Sequence, residues 1–404
     1  MKILFIARAS LYKNRGGDTI QLLKTAESLD KLGVAVDIRL ADEAIAYAGY
    51  DLLHFSNLMR PADILRHAVA SGKPYVVSPL FVDYSEADRH TRRGLAKLML
   101  RLIPPDGIEY LKVISRRLLN GERIVSRGYW WYGQRGSVRR ILRDAAMLLP
   151  NSENEYLRLW RRYKIDRPYR VIPNAIDPDL FSPGPEHLSP DPGHPSPEPK
   201  PLSPDPGHPS PEPEPLSPAG PYVEREKDLV LCAARIEGIK NQLNLIRAVN
   251  GSPFRLILVG APATNQQAYF NECRKTAGPA VTFVDSVPQE ELAAYYRRAQ
   301  VHALPSWFET TGLSSLEAAA MGCAFVITDR GDTREYFGDH AFYCDPASPA
   351  SILEALTKAA GAGPAESLRT KILEQYTWSH AAAETLAAYQ TVLARTFPTT
   401  ISSG

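Results

Sequence analysis

Two carboxylates, Glu309 and Glu317, lie within the segment Ser306 to Cys323, which reads SWFETTGLSSLEAAAMGC. Thr310, Thr311 and Gly312 form a turn between them, and Leu313, Leu316, Ala319, Ala320 and Cys323 recur at helical spacing. The apolar run from Val301 to Leu304, just upstream, predicts a strand. A strand-to-helix turn presents unpaired backbone N–H groups at a helix N-terminus, which attract an anion. A carboxylate at each end of such a segment can accept hydrogen bonds from a neutral polyol. Phosphate joined to sugar is the ligand this pattern suggests. Two carboxylates at this spacing also arise by chance, so the neighbouring motifs must decide.

Two cations point the same way. Leu229 to Ala233 predicts a strand, Arg235 follows it, and Lys240 stands just ahead of a predicted helix over Gln242–Val249. Cations at the head of a helix add charge to a dipole that already favours phosphate. Near the start of the chain, Ile3 to Ile6 predicts a buried strand, followed by a loop with Gly16 and Gly17. A helix from about Thr19 to Leu32 comes next, closed by Gly33, and then a strand over Val34–Leu40. Strand, glycine-bearing loop, helix and strand open a doubly wound α/β domain. A glycine pair lets backbone approach a ligand closely, although glycines that merely make a turn fit as well. Strand exits in such sheets face the ligand crevice, which directs His54 and Asp83 toward an acceptor. A turn-forming or helix-capping aspartate would occupy the place of Asp83 equally well.

Taken together, these residues resemble the retaining GT-B glycosyltransferases of family 4. Glu309 and Glu317 match the E-x7-E pattern, and Arg235 with Lys240 resembles the G-R-x-x-x-x-K segment, with Ala234 in the glycine position. Tyr169 to Asp177 is similar to V-I-P-N-G-V-D, with Ala175 replacing the glycine. Gly16-Gly17-Asp18-Thr19 stands where the family more often has Gly-Gly-Ala-Glu. The histidine that many members carry after the second strand is missing. The resemblance covers all but a proline-rich insert and the tail.

It implies an α/β protein of GT-B architecture, with two Rossmann-like doubly wound domains facing a cleft and a C-terminal helix crossing back to the first. The expected divisions are 1–178, with a basic helical insertion at about 89–143; a proline-rich linker at 182–220; a nucleotide-sugar-binding domain at 221–378; and the crossover helix at 379–396. Arg235 and Lys240 would stabilise the departing diphosphate in place of a metal ion, where negative charge grows in the transition state. Glu309 would hold hydroxyls of the donor sugar, assisted by the backbone of Thr310, Thr311, Gly312 and Leu313. Glu317 would contact the ribose, Val287 would line the base pocket, and Gly16 and Gly17 would lie near the phosphates. No DxD metal motif ends a strand, so the resemblance implies no essential metal and no cofactor beyond the nucleotide-sugar substrate. The leaving phosphate would take the acceptor proton, which makes the missing histidine tolerable. Two other readings stay open: a GT-B sugar-nucleotide epimerase, for which no acid/base carboxylates can be assigned, and a catalytically silent scaffold, against which the charged cluster argues.

Composition sets the surroundings. The 404 residues suffice for two domains, and a net charge of +2 with 44% hydrophobic residues excludes a globally acidic or basic binder. The charge is nonetheless polarised: Arg89 to Arg143 holds 14 Lys or Arg against three acids, +11, leaving −9 for the rest. Apolar residues interleave over Leu95–Ile103 and Tyr110–Leu119, and Tyr129-Trp130-Trp131-Tyr132 follows. Basic faces with aromatic anchors suit an anionic membrane surface or a lipid-linked acceptor; a solvated helical lobe fits equally. A nucleic-acid surface would use the same charges, but no nucleic-acid partner is expected. Residues 188–199 and 202–213 repeat LSPDPGHPSPEP, a composition that forms neither helix nor sheet. Cys232, Cys273, Cys323 and Cys344 show no metal spacing and read as buried thiols of a reducing compartment. The short apolar run at the N-terminus reads as a strand rather than a signal peptide, and no run reaches the roughly 20 apolar residues of a membrane span. The expected location is cytoplasmic, with peripheral attachment to the inner face of the membrane as an option.

Overall fold

The computed structural model describes residues 1–13, 16–82, 127–182, 225–363 and 365–396. Asp83, the amphipathic segments of the basic insertion and the proline-rich repeats lie outside the described residues.

The first domain contains β1 (Lys2–Ala7), α1 (Gly17–Lys31), β2 (Ala35–Leu40), β3 (Leu52–Ser56), α2 (Pro61–Ser71), β4 (Tyr75–Ser78), α3 (Arg127–Asp144), β5 (Met147–Leu148) and α4 (Glu153–Tyr163). Its strands pair in parallel in the order β2-β1-β3-β4-β5. β1, β3 and β4 are near-continuous apolar runs because helices cover both faces of the sheet. α3 is not one straight helix. Gly133, at φ 60° and ψ −173°, breaks it, so Tyr129 is buried and bonded to Gln134 at 2.8 Å while Trp131 is 91% exposed. Tyr129 is therefore a core residue and not a surface anchor.

The second domain runs through β6 (Glu226–Ala233), a 3-10 turn (Gly238–Lys240), α5 (Gln242–Val249), β7 (Arg255–Val259), α6 (Gln267–Thr276), β8 (Val281–Val284) and α7 (Gln289–Arg298). It continues with β9 (Ala299–Leu304), α8 (Leu313–Ala320), β10 (Ala324–Thr328), α9 (Thr333–Phe337), β11 (Phe342–Cys344), α10 (Pro349–Ala360) and α11 (Glu366–Gln375). The sheet order is β11-β10-β9-β6-β7-β8, again parallel. Counted from β6, this is the doubly wound order whose direction reverses between its first and fourth strands, here β6 and β9. Ligands of such sheets bind outside the carboxyl ends of the strands at that reversal.

A last helix, α12 (Trp378–Thr396), returns to the first domain. Trp378, Ala381, Ala382, Ala388, Tyr389 and Val392 share a core with Ile3, Phe5, Leu22 and Leu29. Periodicity alone favours a face of Ala382, Leu386, Tyr389 and Leu393, but Leu386 and Leu393 only flank the core. The alanines let the helix lie close to α1, and buried Thr385 satisfies its hydroxyl on Ala381 O at 2.7 Å. The two chain crossings between the domains run side by side: Ile176 N–H donates to Tyr376 O at 2.8 Å and Trp378 N–H to Ile176 O at 3.3 Å. All four cysteines are buried and free. Among the described residues, no helix is long and apolar enough to cross a membrane.

Candidate active site

The carboxyl ends of β6 and β9 carry the charged residues singled out in the sequence. β9 ends at Leu304, and the turn beyond it brings Glu309 against Gly331 in the loop after β10. Glu309 Oε1 receives Ser306 Oγ at 2.6 Å and Lys240 Nζ at 2.7 Å, and the residue is only 6% exposed. Its backbone pairs with the loop after β10: Glu309 N–H donates to Arg330 O at 3.2 Å, and Asp332 N–H donates to Glu309 O at 2.9 Å. Gly331 makes this approach possible. It sits at φ +98°, and a Cβ there would stand 1.9 Å from Glu309 O. Thr311 is buried and its hydroxyl receives Asn174 Nδ2 of the first domain at 3.0 Å, while Thr310 is half-buried. Gly312, at φ 78°, is the residue from which α8 starts.

Arg235 extends from the loop after β6, its guanidinium 2.9 Å from Glu237 and its side chain 44% exposed. It faces the glycine loop of the first domain. A methyl group built on Gly16 would stand 3.5 Å from the Arg235 guanidinium carbon, and one on Gly17 would stand 3.5 Å from Leu313 Cδ1. Leu313 is half-buried against the first domain's core. The Gly16–Gly17 loop is shaped by Arg8, whose Nε meets Asp18 at 2.8 Å and whose Nη2 meets it at 3.2 Å. The cleft thus brings Gly16 and Gly17 from one domain to Arg235 and Leu313 from the other. Lys240 and Glu309 lie at the same sheet reversal.

The remaining candidates fall elsewhere. Glu317 is 7% exposed inside α8, and its Oε2 receives Tyr296 OH at 3.0 Å. Burial pushes its carboxyl up to about 7. No hydrogen-bond partner of the other oxygen is found among the described residues. Val287 packs, half-buried, on the second domain's core beyond β8. His54 lies deeper than an open strand exit. It is 6% exposed, with Nδ1 at 2.6 Å from Tyr389 OH and Nε2 at 2.8 Å from Ser78 Oγ. Burial pushes its imidazole down to about 3. Both nitrogens are used, so His54 ties α12 to the sheet, and it also lines a pocket with Asp18, Gln21, Ser56 and Ser78.

Three contributors were not singled out from the sequence. Ser306, three residues before Glu309, sits at the strand exit, and its proximity was the available signal. Asn174 lies in the segment that resembles V-I-P-N-G-V-D, but nothing local pointed to its partner or to that of Asp332, which are 137 and 174 residues away. Among the described residues, no group of three or more His, Cys, Asp or Glu is placed to hold a metal ion.

With this geometry in view, the chain can be set beside known proteins. Residues 227–361 match the family described as glycosyl transferases group 1. The structure aligns with the sucrose-phosphate synthase of Thermosynechococcus elongatus at a TM-score of 0.68 and 16% identity, over 98% of this chain and 100% of that one. The fold is GT-B. A second GT-B likeness is Anabaena HepE in complex with UDP and glucose, with a TM-score of 0.61 and 13% identity over 97% of this chain and 100% of that one. By sequence, the chain is 30% identical over 115 residues to the D-inositol 3-phosphate glycosyltransferase of Corynebacterium kroppenstedtii, 26% of either chain. The match spans about a quarter to a third of the length of such curated relatives, from 25% to 34%.

Proposed function

We propose that the protein is a retaining glycosyltransferase of the family 4 type. It would transfer a sugar from a nucleotide-sugar donor to a glycan or lipid-linked acceptor in cell-surface polysaccharide or glycolipid synthesis, with no essential metal. The observation that carries this reading is the convergence of Glu309, Lys240 and Arg235 at the reversal between β6 and β9, opposite Gly16. Likeness to HepE, whose structure holds UDP and glucose, supports a nucleotide-sugar donor.

In this reading Arg235 and Lys240 bind the diphosphate, exchanging part of their present pairing with Glu237 and Glu309 for phosphate oxygens. Lys240 then neutralises charge as the bond between the anomeric carbon and the diphosphate oxygen breaks. Glu309, aligned by Ser306, accepts hydrogen bonds from donor-sugar hydroxyls. The oxygen of Glu317 that Tyr296 does not occupy is offered to a ribose hydroxyl. The acceptor oxygen attacks the face the leaving group departs from, and its proton passes to the leaving phosphate. Water exclusion comes from domain closure over Gly16, Gly17 and Leu313.

The test is a thermal-shift screen of UDP-, GDP- and ADP-sugars, followed by donor hydrolysis and transfer assays. A donor at a hundredfold excess over its Kd stabilises by about 2.7 kcal/mol. One nucleotide sugar should shift wild type, and Glu309→Ala should lose turnover about a hundredfold or more. A folded wild type that responds to none of them would favour the silent scaffold instead.

Location is part of the same proposal. Trp131 and the exposed Arg135, Arg139 and Arg143 stand on the outer side of α3. They would meet an anionic cytoplasmic membrane face, each arginine adding about 1 kcal/mol near the surface. Vesicles containing anionic lipid should retain wild type better than Trp131→Ala/Arg139→Glu/Arg143→Glu, and equal retention removes the membrane from the reading.

A further inference from the structure

Glu309 is fixed at two levels. Its carboxylate rests on Ser306 and Lys240, both in its own domain. Its backbone is paired on both sides with residues 330–332, pressed together at Gly331. A displacement of that loop therefore displaces Glu309.

The loop is gripped from the other domain. The Asp332 side chain is wholly buried, at 0% exposure, and its two oxygens receive the guanidinium of Arg158 on α4, Nη2 lying 2.9 Å from Oδ2. The same guanidinium lies over the ring of Phe308, 5.0 Å from its centroid. Arg158 thus touches both the residue before Glu309 and the residue paired with its carbonyl. Just beyond, the Glu335 carboxylate accepts the N–H groups of Glu153 at 2.8 Å and Asn154 at 3.0 Å, where α4 begins. Tyr336 OH donates to Asn151 O at 2.6 Å and accepts Asn174 N–H at 3.0 Å.

A buried carboxylate is costly unless a cation accompanies it. Asp332 has its cation only while the first domain is docked. With the domains apart, Asp332 would be hydrated and the loop would lose the contact that aligns it.

We propose that Arg158 and Asp332 are a positioning pair that carries domain closure to Glu309, so that this carboxylate takes its working place only when the cleft shuts. The proposal rests on the reading of Glu309 as a donor-sugar ligand. It makes turnover depend on the pair, while the nucleotide's contacts with Arg235 and Lys240, both in the second domain, stay in place without it.

The experiment compares full-length wild type, Arg158→Gln, Asp332→Asn, the double variant and Glu309→Gln. Binding of UDP, GDP and ADP is measured by calorimetry, and turnover with UDP-glucose, GDP-mannose and ADP-glucose. Each single variant of the pair should lower kcat about 30- to 100-fold. Donor KM and nucleoside diphosphate Kd should move by less than about threefold, and the double variant should be no worse than the singles. Wild-type kcat in the singles, an equal loss in nucleoside diphosphate affinity, or multiplying effects in the double variant would each overturn the proposal. Should Asp332→Asn fail to fold, Arg158→Gln, at a partly exposed helix position, decides alone. Loss of turnover in Glu309→Gln with intact pair variants sinks the positioning role only. Wild-type turnover in Glu309→Gln, or no binding and turnover with any probe in wild type, sinks the donor-site reading and the pair with it.

Discussion

Glu317 is held by burial at about 7, above the 4.5 of an ordinary glutamate. The folded protein therefore binds this proton more tightly than the unfolded chain. The resulting stabilisation is complete below about pH 4.5 and is lost as pH rises toward 7. Glu317→Gln keeps an acceptor for Tyr296 and removes the titration. Stability of wild type relative to this variant should fall by about 3 kcal/mol between pH 4.5 and pH 8, read from urea unfolding. A flat difference would mean that Glu317 is not held this way. The comparison also cancels Glu155, another buried glutamate pushed up to about 7 in both proteins. At Gly331 the expectation is steric. Gly331→Ala should destabilise by about 3 kcal/mol and abolish turnover, because the methyl group collides with Glu309 O. The strand–turn–helix units carrying Arg235, Lys240, Glu309 and Glu317 were legible, since charge at a strand exit and helical spacing are local signals. The burial of His54 was not. A parallel strand covered on both faces has no polar alternation to show where a side chain points, and Tyr389 lies 335 residues away.

Elements were easier to place than their faces. The extent of α12 follows from periodicity, yet its buried stripe includes Ala381 and Ala388, residues whose small apolar area carries little weight in a pattern. β5 is only Met147–Leu148, shorter than the apolar run from 145 to 149 suggests, and on the side away from β4 Leu148 bridges to Tyr169. The break at Gly133 could not be read from a glycine alone, since helices tolerate isolated glycines at modest cost. The contact of α12 with the sheet gives a further expectation. Tyr389→Phe leaves His54 Nδ1 without its partner in a buried site. It should cost about 1–3 kcal/mol while leaving donor KM unchanged. An undiminished melting temperature would show that the hydroxyl does not hold the helix.

At the scale of the whole molecule, apart from Leu313 against the first domain's core, the described contacts between the domains are polar ones that water can replace. Glu335 serves α4 as an N-terminal acceptor from the opposite domain, an interaction of about 1 kcal/mol that salt weakens. Glu335→Ala should therefore enlarge the radius of gyration in small-angle scattering, and high salt should do the same to wild type. An unchanged radius in both would place the domain coupling elsewhere. Doubly wound order was legible from alternating strands and helices, whereas pairs such as Arg158 with Asp332 exist only once two separately folded sheets face each other. The return of α12 has a consequence for synthesis. The second domain is contiguous and can complete its core as it leaves the ribosome. The first domain lacks Trp378, Ala382 and Tyr389 until the whole second domain has been made. At about 5–20 residues per second, its apolar face over β1 and α1 stays open for on the order of ten seconds or more, and a nascent-chain chaperone would find its binding site there.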